Sequence, residues 1–525
     1  MKKIIYLTLT MFVAIGLNSC SDDLSNYNEN PNEPDFVLTN TIFNGATKQY
    51  TDFMRDDFNS GRLTLPWMQY WGQNSYADED RYLYRETSAE SIYTNSYLVA
   101  TEFKSIIDLN VDPATSEQVA TVGNNNNQIA ASRIMLSYIF HKLTDTFGDV
   151  PYYSYGSDNP NFQALNIDEN LSPVFATQEE IYMDILKELR EASDMIVESE
   201  SVFISGDNIF QGDAVKWKKF ANSLILRVAN RLREVDPGTA NQAINEAIAA
   251  GVFDSNADNA IQPYETADAT ASPFWIAFID RTDFAVAAPF VDLLKGETGS
   301  FGPDPRLFEM AAPINASIND IKNDDYEESS DYEDYIGVPY AFVQANSLEF
   351  TSYSFPSSKV LRPDYGEVFM EYAEVAFILS EHNNWDQTQY ENGVRASMER
   401  WGVASGEVDD FVSNLPAATE ETVLNQKYVA LYMQPHESWA EFRRTGFPST
   451  LLLPGDEYVL PPNQAAESEI DSYIFEPGVD INTLPFRIAY PVVLQTLNGS
   501  NRADAVSGLE NGDTIFSPLF WDVNN

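Results

Sequence analysis

Two stretches of this chain set flat aromatic rings among amide, carboxylate and guanidinium groups, with little helical or strand period. The first, residues 67–84, holds Trp67, Tyr70, Trp71, Gln73, Asn74, Tyr76, Asp78, Arg81, Tyr82 and Tyr84. The second holds Tyr264, Phe274, Trp275, Arg281 and Phe284. A sugar ring offers an apolar C–H face and equatorial hydroxyls. A site for it needs a flat ring to stack on and polar groups at the edges, and both stretches contain those parts. Aromatics on a helical stripe are explained as core, whereas aromatics in a polar loop ask for another reason. Trp67, between Pro66 and Met68, reads as a plug that holds its loop to the body. Trp71, Asn74, Tyr76, Arg81, Tyr82, Tyr264, Phe274 and Trp275 are the candidate ligand contacts. Tyr326, Tyr332, Tyr335, Tyr340 and Tyr353 form a weaker candidate rim.

Other chemistries find less support. Asp324, Asp325, Glu327, Glu328, Asp331, Glu333 and Asp334 supply the oxygens calcium prefers, but not in the order of a helix-loop-helix calcium loop or with its central glycine. A solvated loop is the simpler reading, and no metal is expected. The sequence contains no G-x-S-x-G, no H-E-x-x-H, no Walker loop and no G-x-G-x-x-G following a strand. Its three histidines, His141, His382 and His436, are scattered. Among 80 acidic residues nothing singles out a glycosidase pair. The reading is a binding protein, not an enzyme, with no cofactor.

The elements that would position these loops are helical. In 213–234, Trp217, Phe220, Ala221, Leu224, Ile225, Val228, Ala229 and Leu232 fall on one stripe, with Asp213 as N-cap and Pro237 past the end. In 177–197, Thr177 and Glu180 make a capping box ahead of Ile181, Ile185 and Leu189. Segments 128–143, 366–381, 387–401 and 419–433 carry similar stripes, and 41–57 and 90–108 weaker ones. Trp217, Trp385, Trp401 and Trp439 fall in helical segments and read as core. Alternating strands are few. The pattern reads as mostly α: helix pairs joined by long irregular loops, without a regular 34-residue sequence repeat. Irregular insertions are expected at about 60–87 and 255–362.

The amino terminus locates the body. Lys2 and Lys3 precede an apolar run, Ile4 to Leu17, and Leu17-Asn18-Ser19-Cys20 reads as a lipobox. The run is shorter than the roughly 20 apolar residues that span a bilayer, so residues 1–19 read as a removed signal. Cys20, the only cysteine, would carry the lipid that attaches the protein to a membrane. Residues 20–34 read as a solvated tether, and 35–525 as one domain. The net charge of −49 becomes −51 when Lys2 and Lys3 are removed with no acid. That charge argues against nucleic acid and against docking on anionic lipid.

Eight motifs, in order along the chain, carry a family resemblance. They are Asn30-Pro31-Asn32-Glu33-Pro34; Phe147-Gly148-Asp149-Val150-Pro151-Tyr152; Gly212-Asp213 with Trp217 to Leu224 and Leu226-Arg227; and Asp304-Pro305-Arg306-Leu307. Tyr372 to Ile378 follows, with Tyr390, Gly393 and Ala396-Ser397; then Trp439 with Glu441 to Pro448; then Arg487 to Pro491; then Phe520-Trp521-Asp522. In these the chain resembles the SusD/RagB nutrient-binding outer-membrane lipoproteins, in the SusD-like subgroup. The acidic Ser21-Asp22-Asp23-Leu24 also resembles the surface-export signal of Bacteroidota lipoproteins. The resemblance implies a mostly α fold of tetratricopeptide-like helix pairs forming an α-solenoid body with a loop-rich ligand-binding half, and a cell-surface position on the outer membrane. It implies a SusC-like TonB-dependent barrel as partner, over which the protein acts as a hinged lid. It implies capture of glycan fragments for delivery to that barrel. Peptide capture, as in RagB-type relatives, and a surface glycosidase are the alternatives, since fold alone does not set the ligand. Most of the motifs read as scaffold: Gly148 stops a helix, Asp149 caps backbone amides, and Arg443 and Arg444 tie a helix end to oxygens.

Overall fold

The computed structural model describes residues 36–523. The signal, Cys20 and the tether lie outside the described residues. Six helices follow one another as stacked neighbours: α1 (Thr39–Met54), α2 (Glu86–Val111), α3 (Asn125–Phe147), α4 (Gln178–Met195), α5 (Ala214–Arg231) and α6 (Pro237–Ala250). Each packs mainly on the next in sequence, which is how helix pairs bury a continuous core without a central sheet. After α7 (Pro273–Asp280) and a long irregular stretch, a second group begins with α8 (Tyr372–His382) and α9 (Gln387–Trp401). It continues through α10 (Ser405–Ser413), α11 (Glu420–Ala430) and α12 (Pro435–Thr445). Helix α8 packs on α9 and α11, and also reaches α5, joining the groups.

Local chemistry sets the ends of these helices. The Thr177–Glu180 capping box is formed at α4. The Asp213 carboxylate accepts from the Val215 and Lys216 amides at α5. At the end of α3 the chain must reverse, and Gly148 takes a φ of +93° there, a conformation costly for any residue with a Cβ. Asp149 then accepts the Gln178 N–H at 2.8 Å, so one turn stops α3 and caps α4. Val150–Pro151 (β2) pairs with Phe175–Ala176 (β3) across the same corner.

The strands come in four antiparallel pairs and build no larger sheet among the described residues. Besides β2–β3, they are Trp71–Gln73 (β1) with Phe284–Val286 (β5), Ala260–Gln262 (β4) with Glu367–Met370 (β6), and Glu457–Val459 (β7) with Ser472–Ile474 (β8). Two expectations need correction. The helix expected over 366–381 begins only at Tyr372, because Glu367–Met370 pairs as a strand with β4. Residues 60–87 are not an open loop. Ser60–Thr64 forms one π-helical turn, Leu65–Trp67 an α-turn, and most of the stretch to Asp80 is buried. Trp67, Tyr70, Trp71 and Tyr82 are buried, while Tyr76 and Tyr84 are half-buried.

The core between the groups is full of charge. Arg231 is 0 % exposed and reaches Glu437 at 2.5 Å and also Glu441. Arg227 holds Glu374 through two bonds of 2.6 and 2.7 Å. Lys142 pairs with Glu437, and Lys427 reaches Glu441 at 2.6 Å. Arg444 forks onto Glu381 at 2.8 and 2.9 Å. Arg443 lies 3.6 Å over the Trp439 ring and donates to the Asp145 and Phe486 carbonyls. Burial alone would push Glu437 toward the neutral acid. Lys142, Arg227 and Arg231 outweigh it and hold the carboxyl well below its usual range. The arginine-rich segments of α5 and α12 are therefore scaffold, as their sequence suggests.

Candidate functional site

The β1–β5 pair brings the two aromatic stretches together. Trp71 stands opposite Val286 and Gln73 opposite Phe284, and the Asn74 N–H continues the ladder to the Asp283 carbonyl at 3.1 Å. Beyond that point the two chains part toward the surface, one as residues 74–85 and the other as Arg281–Asp283 running back to α7.

Asp283 is the hub of what they form. Its carboxylate accepts from the Tyr76 hydroxyl at 2.8 Å, from Arg62 Nη2 at 2.9 Å and from Arg281 Nε at 3.1 Å. The Arg62 guanidinium, delivered from the π-helical turn, is 2 % exposed. It sits 5.1 Å from the Tyr76 ring centre, 5.2 Å from Phe58 and 5.7 Å from Phe284, within cation–π range of all three. Single π-helical turns recur at functional sites, and this one fixes a cation beneath two surface aromatics. Phe58 is 42 % exposed, Tyr76 is half-buried, and the Arg281 side chain is 63 % exposed. Burial first, and the bond to Asp283 second, push the Tyr76 hydroxyl up, so it stays a neutral donor. The result is a ring-and-fork surface: two partly exposed rings beside an exposed guanidinium, tied together by the buried Asp283 carboxylate. Such a surface can hold a sugar by stacking on C–H faces and bonding hydroxyls at the edge.

A groove of about 590 Å³ adjoins it, bounded by Arg281 and Asp57 on the site's side. Its floor is apolar, from Ala271, Pro273, Ile276 and Ala277 of α7 and the turn before it. Its walls carry Asp52, Asp56, Asp57 and Asp268, with Lys48 at one end. Burial lifts the Asp56 carboxyl to about 7, against the pull of the Asn59 and Phe58 amides.

The candidate contacts divide in this setting. Asn74 and Tyr76 lie at the junction, Asn74 buried and Tyr76 half-exposed. Trp71 is corrected to core: it is 0 % exposed, its Nε1 donates to the Tyr432 hydroxyl at 2.9 Å, and Phe274 packs on its ring at 4.9 Å. Phe274, 1 % exposed, is the other half of that contact and is likewise core. Tyr82 is buried against Phe475 with a φ of +70°. Tyr264 is buried, donating to Asp52 at 2.7 Å from beneath the groove wall. Arg81 is half-buried and spends its Nε on the Glu476 carbonyl at 2.7 Å. Trp275 lies on helix α7 rather than in an irregular segment, half-buried, with the Lys322 ammonium 4.7 Å over its ring. A buried ring cannot offer a face to a ligand, so four of the eight, Trp71, Tyr82, Tyr264 and Phe274, support the site rather than line it, and Arg81 is engaged as a tie. Trp67 is the buried plug expected. Tyr335, Tyr340 and Tyr353 are buried too, leaving Tyr326 and Tyr332 half-buried as rim. Trp385 stands in the turn after α8, half-buried, and not on a helix.

Phe58, Arg62, Asp283 and the carboxylates of the groove were not singled out in the sequence. Phe58 carries a usable signal: it follows the end of the 41–57 helical stripe, beside Asp56 and Asp57. Arg62 and Asp283 carry none, since only the fold brings them within 2.9 Å across 221 residues. Among the described residues no group of three or more His, Cys, Asp or Glu side chains is placed to hold a metal ion. Nor is any helix among them long and apolar enough to cross a membrane.

A family described as "Starch-binding associating with outer membrane" matches residues 31–465. One described as "Susd and RagB outer membrane lipoprotein" matches residues 417–522. The chain belongs to the SusD-like family. Solved structures repeat the fold. A SusD homolog from Bacteroides uniformis has 22% identity and a TM-score of 0.69, covering 92% of this chain and 99% of that one. A chitin-binding SusD homolog from Flavobacterium johnsoniae has 20% identity and a TM-score of 0.67, with the same coverage. A structure titled "Bacteroidetes AC2a SusD-like" has 19% identity and a TM-score of 0.70, covering 93% and 100%. No curated protein matches the chain.

Proposed function

We propose that this protein captures glycan fragments at the cell surface and passes them to a SusC-like TonB-dependent barrel. Lipidation of Cys20 would hold it on the outer membrane. It binds and does not cleave. The observation that carries the glycan reading is the Phe58–Arg62–Tyr76 arrangement tied together by Asp283: partly exposed rings backed by a buried cation, next to the exposed Arg281 guanidinium. Family membership supports the surface position and the barrel partner, and the chitin-binding relative supports a glycan ligand.

Isothermal titration of the soluble body, residues 35–525, against neutral oligosaccharides including chito-, malto- and cello-oligomers tests it. Saturable binding to at least one, weakened by Phe58→Ala and Tyr76→Ala, is the expected result. Peptide binding with no glycan binding would replace the reading with the RagB-type one. Reducing-sugar release by the purified protein would replace it with a glycosidase. Copurification of the full chain with a barrel from outer membranes, lost on Cys20→Ala, tests the assembly.

A further inference from the structure

The ring surface has a second edge, supplied by the start of α2. Phe58 is an exposed ring on a fixed main chain. Its N–H donates to Asp56 Oδ1 at 2.9 Å, and its carbonyl accepts from Ser88 Oγ, in the first turn of α2, at 3.1 Å. Just before that turn stands Arg85. Its guanidinium lies 5.9 Å from the Phe58 ring centre, beyond the face contact that Arg443 makes on Trp439 at 3.6 Å. Arg85 therefore borders the ring without covering it.

A buried carboxylate orients this arginine. Arg85 Nε donates to Glu79 Oε1 at 3.0 Å, and Glu79 is 2 % exposed. Glu79 is itself fixed, because Gln73 of β1 donates to its Oε2 at 2.7 Å and accepts its N–H at 3.2 Å. The arrangement repeats the one at Tyr76. There Asp283 orients Arg281 through Nε at 3.1 Å and Nη2 at 3.0 Å. Arg62 joins the two halves, with Nη2 2.9 Å from Asp283 and Nη1 3.6 Å from Glu79. The Arg85 side chain is 53 % exposed. Among the described residues neither of its Nη atoms has a hydrogen-bond partner, nor has Nη1 of Arg281. An arginine fixed at Nε and free at Nη is a preorganised donor, and it loses little entropy on bonding a ligand.

Charge decides which acceptors suit these donors. Asp57 lies in the field of Arg62 and Arg281. Arg62, Arg85 and Arg281 therefore share the surface with Asp57, Glu79 and Asp283, and no positive charge is left over for an anion. The free N–H groups suit neutral oxygens, such as the hydroxyls and amide carbonyls of a sugar.

We propose that Arg85 is a ligand contact that sets specificity: a neutral oligosaccharide lies across Phe58 and Tyr76 between two guanidinium edges, Arg281 and Arg85. This rests on the glycan reading above and deepens it. A chain with one unit on each ring meets both edges.

Titration of the soluble body with neutral chito-, malto- and cello-hexamers and with an oligogalacturonate tests it. Arg85→Ala should weaken the best-bound neutral hexamer about tenfold. Arg85→Lys keeps a positive charge beside Glu79, and so the fold, but lacks the fork, and it should lose nearly as much. Matching melting temperatures would show that both variants are folded. Arg85→Ala and Phe58→Ala should be non-additive, since both release the same sugar unit, whereas Arg85→Ala and Tyr76→Ala should add. Affinity should change little as salt is raised, and the uronate should bind no better than the neutral hexamers. Full affinity in Arg85→Lys, unchanged affinity in both Arg85 variants, or full additivity with Phe58→Ala overturns the proposal and leaves glycan capture standing. Uronate binding tighter than every neutral hexamer, and lost in Arg85→Ala, overturns it in favour of an anionic chain. Binding to none of the glycans overturns both the second edge and the glycan reading.

Discussion

The two halves of the molecule handle charge in opposite ways. In the helical scaffold, arginines and glutamates are buried and each is held by several partners: Glu437 alone serves Lys142, Arg227 and Arg231. At the β1–β5 junction the hub carboxylate of Asp283 is also multiply held, but one of its partners, Arg281, keeps its guanidinium mostly in solvent. Next door Asp56 is held by the Phe58 and Asn59 amides, and Asp57 lies in the field of Arg62 and Arg281 without a salt bridge to either. The first pattern specifies how α3, α5, α8, α11 and α12 fit together. The second leaves bonding capacity unspent at the surface, as a recognition site requires. Charge density is therefore a poor guide to function in this chain, and unspent charge a better one.

The contrast can be broken by mutation. The largest effect should come from Glu437→Gln, which leaves three buried cations around a neutral amide. Breaking such a pair costs about 3–5 kcal/mol, read as a drop in the urea midpoint. Trp71→Ala should come close, at about 3–5 kcal/mol, since its ring fills the core between Phe274 and Phe284. A loss of binding with unchanged stability would return Trp71 to the site. Tyr76→Ala should do the reverse. Glycan affinity should fall about tenfold, or ~1.4 kcal/mol, with a small change in melting temperature.

Titration sharpens the same comparison. Glu381 and Glu437 are held below their ordinary values by neighbouring cations, against the opposing effect of burial. The stability they contribute is present above the unfolded carboxyl value of 4.5 and is lost as pH falls through the folded values. Urea denaturation below pH 4.5 should show a steep decline that Glu437→Gln makes shallower. The smallest effect is expected at Glu367, 0 % exposed, with Arg55 no nearer than 3.6 Å. Burial lifts its carboxyl to about 8. Its contribution is full below 4.5 and is lost as pH rises through 8, so Glu367→Gln should be the more stable form above pH 8. Denaturation midpoints at pH 6 and 9 would show this.

Much of the scaffold could be read directly from the residues. The Thr177–Glu180 box, the Asp213 cap and the stripe from Trp217 to Leu232 each rest on neighbours three or four residues apart, and each stands in the structure where expected. The Gly148–Asp149 turn was legible as a stop and a cap, though not that its cap would serve α4. Where a segment's partner is distant, reading failed. Residues 366–371 have a helical composition, but pairing with Ala260–Gln262 makes a strand of Glu367–Met370. The two polar-aromatic stretches meet along the β1–β5 pair, but nothing in their residues says which rings are buried. Trp71 and Phe274 cover each other, and Phe58 and Tyr76 were left to face outward.

By itself the sequence determined the helical body, its caps and turns, the family, and the two loop regions that meet at the site. All of these follow from interactions between near neighbours, or from motifs carried in order along the chain. Tertiary structure alone decided which aromatics are spent on the core and which remain at the surface. It also placed Arg62 beneath Phe58 and Tyr76 and left an apolar floor beside the groove's aspartates. The reason is physical. Burial and charge compensation depend on what approaches from the other side, and for Arg62 and Asp283 that partner lies 221 residues away.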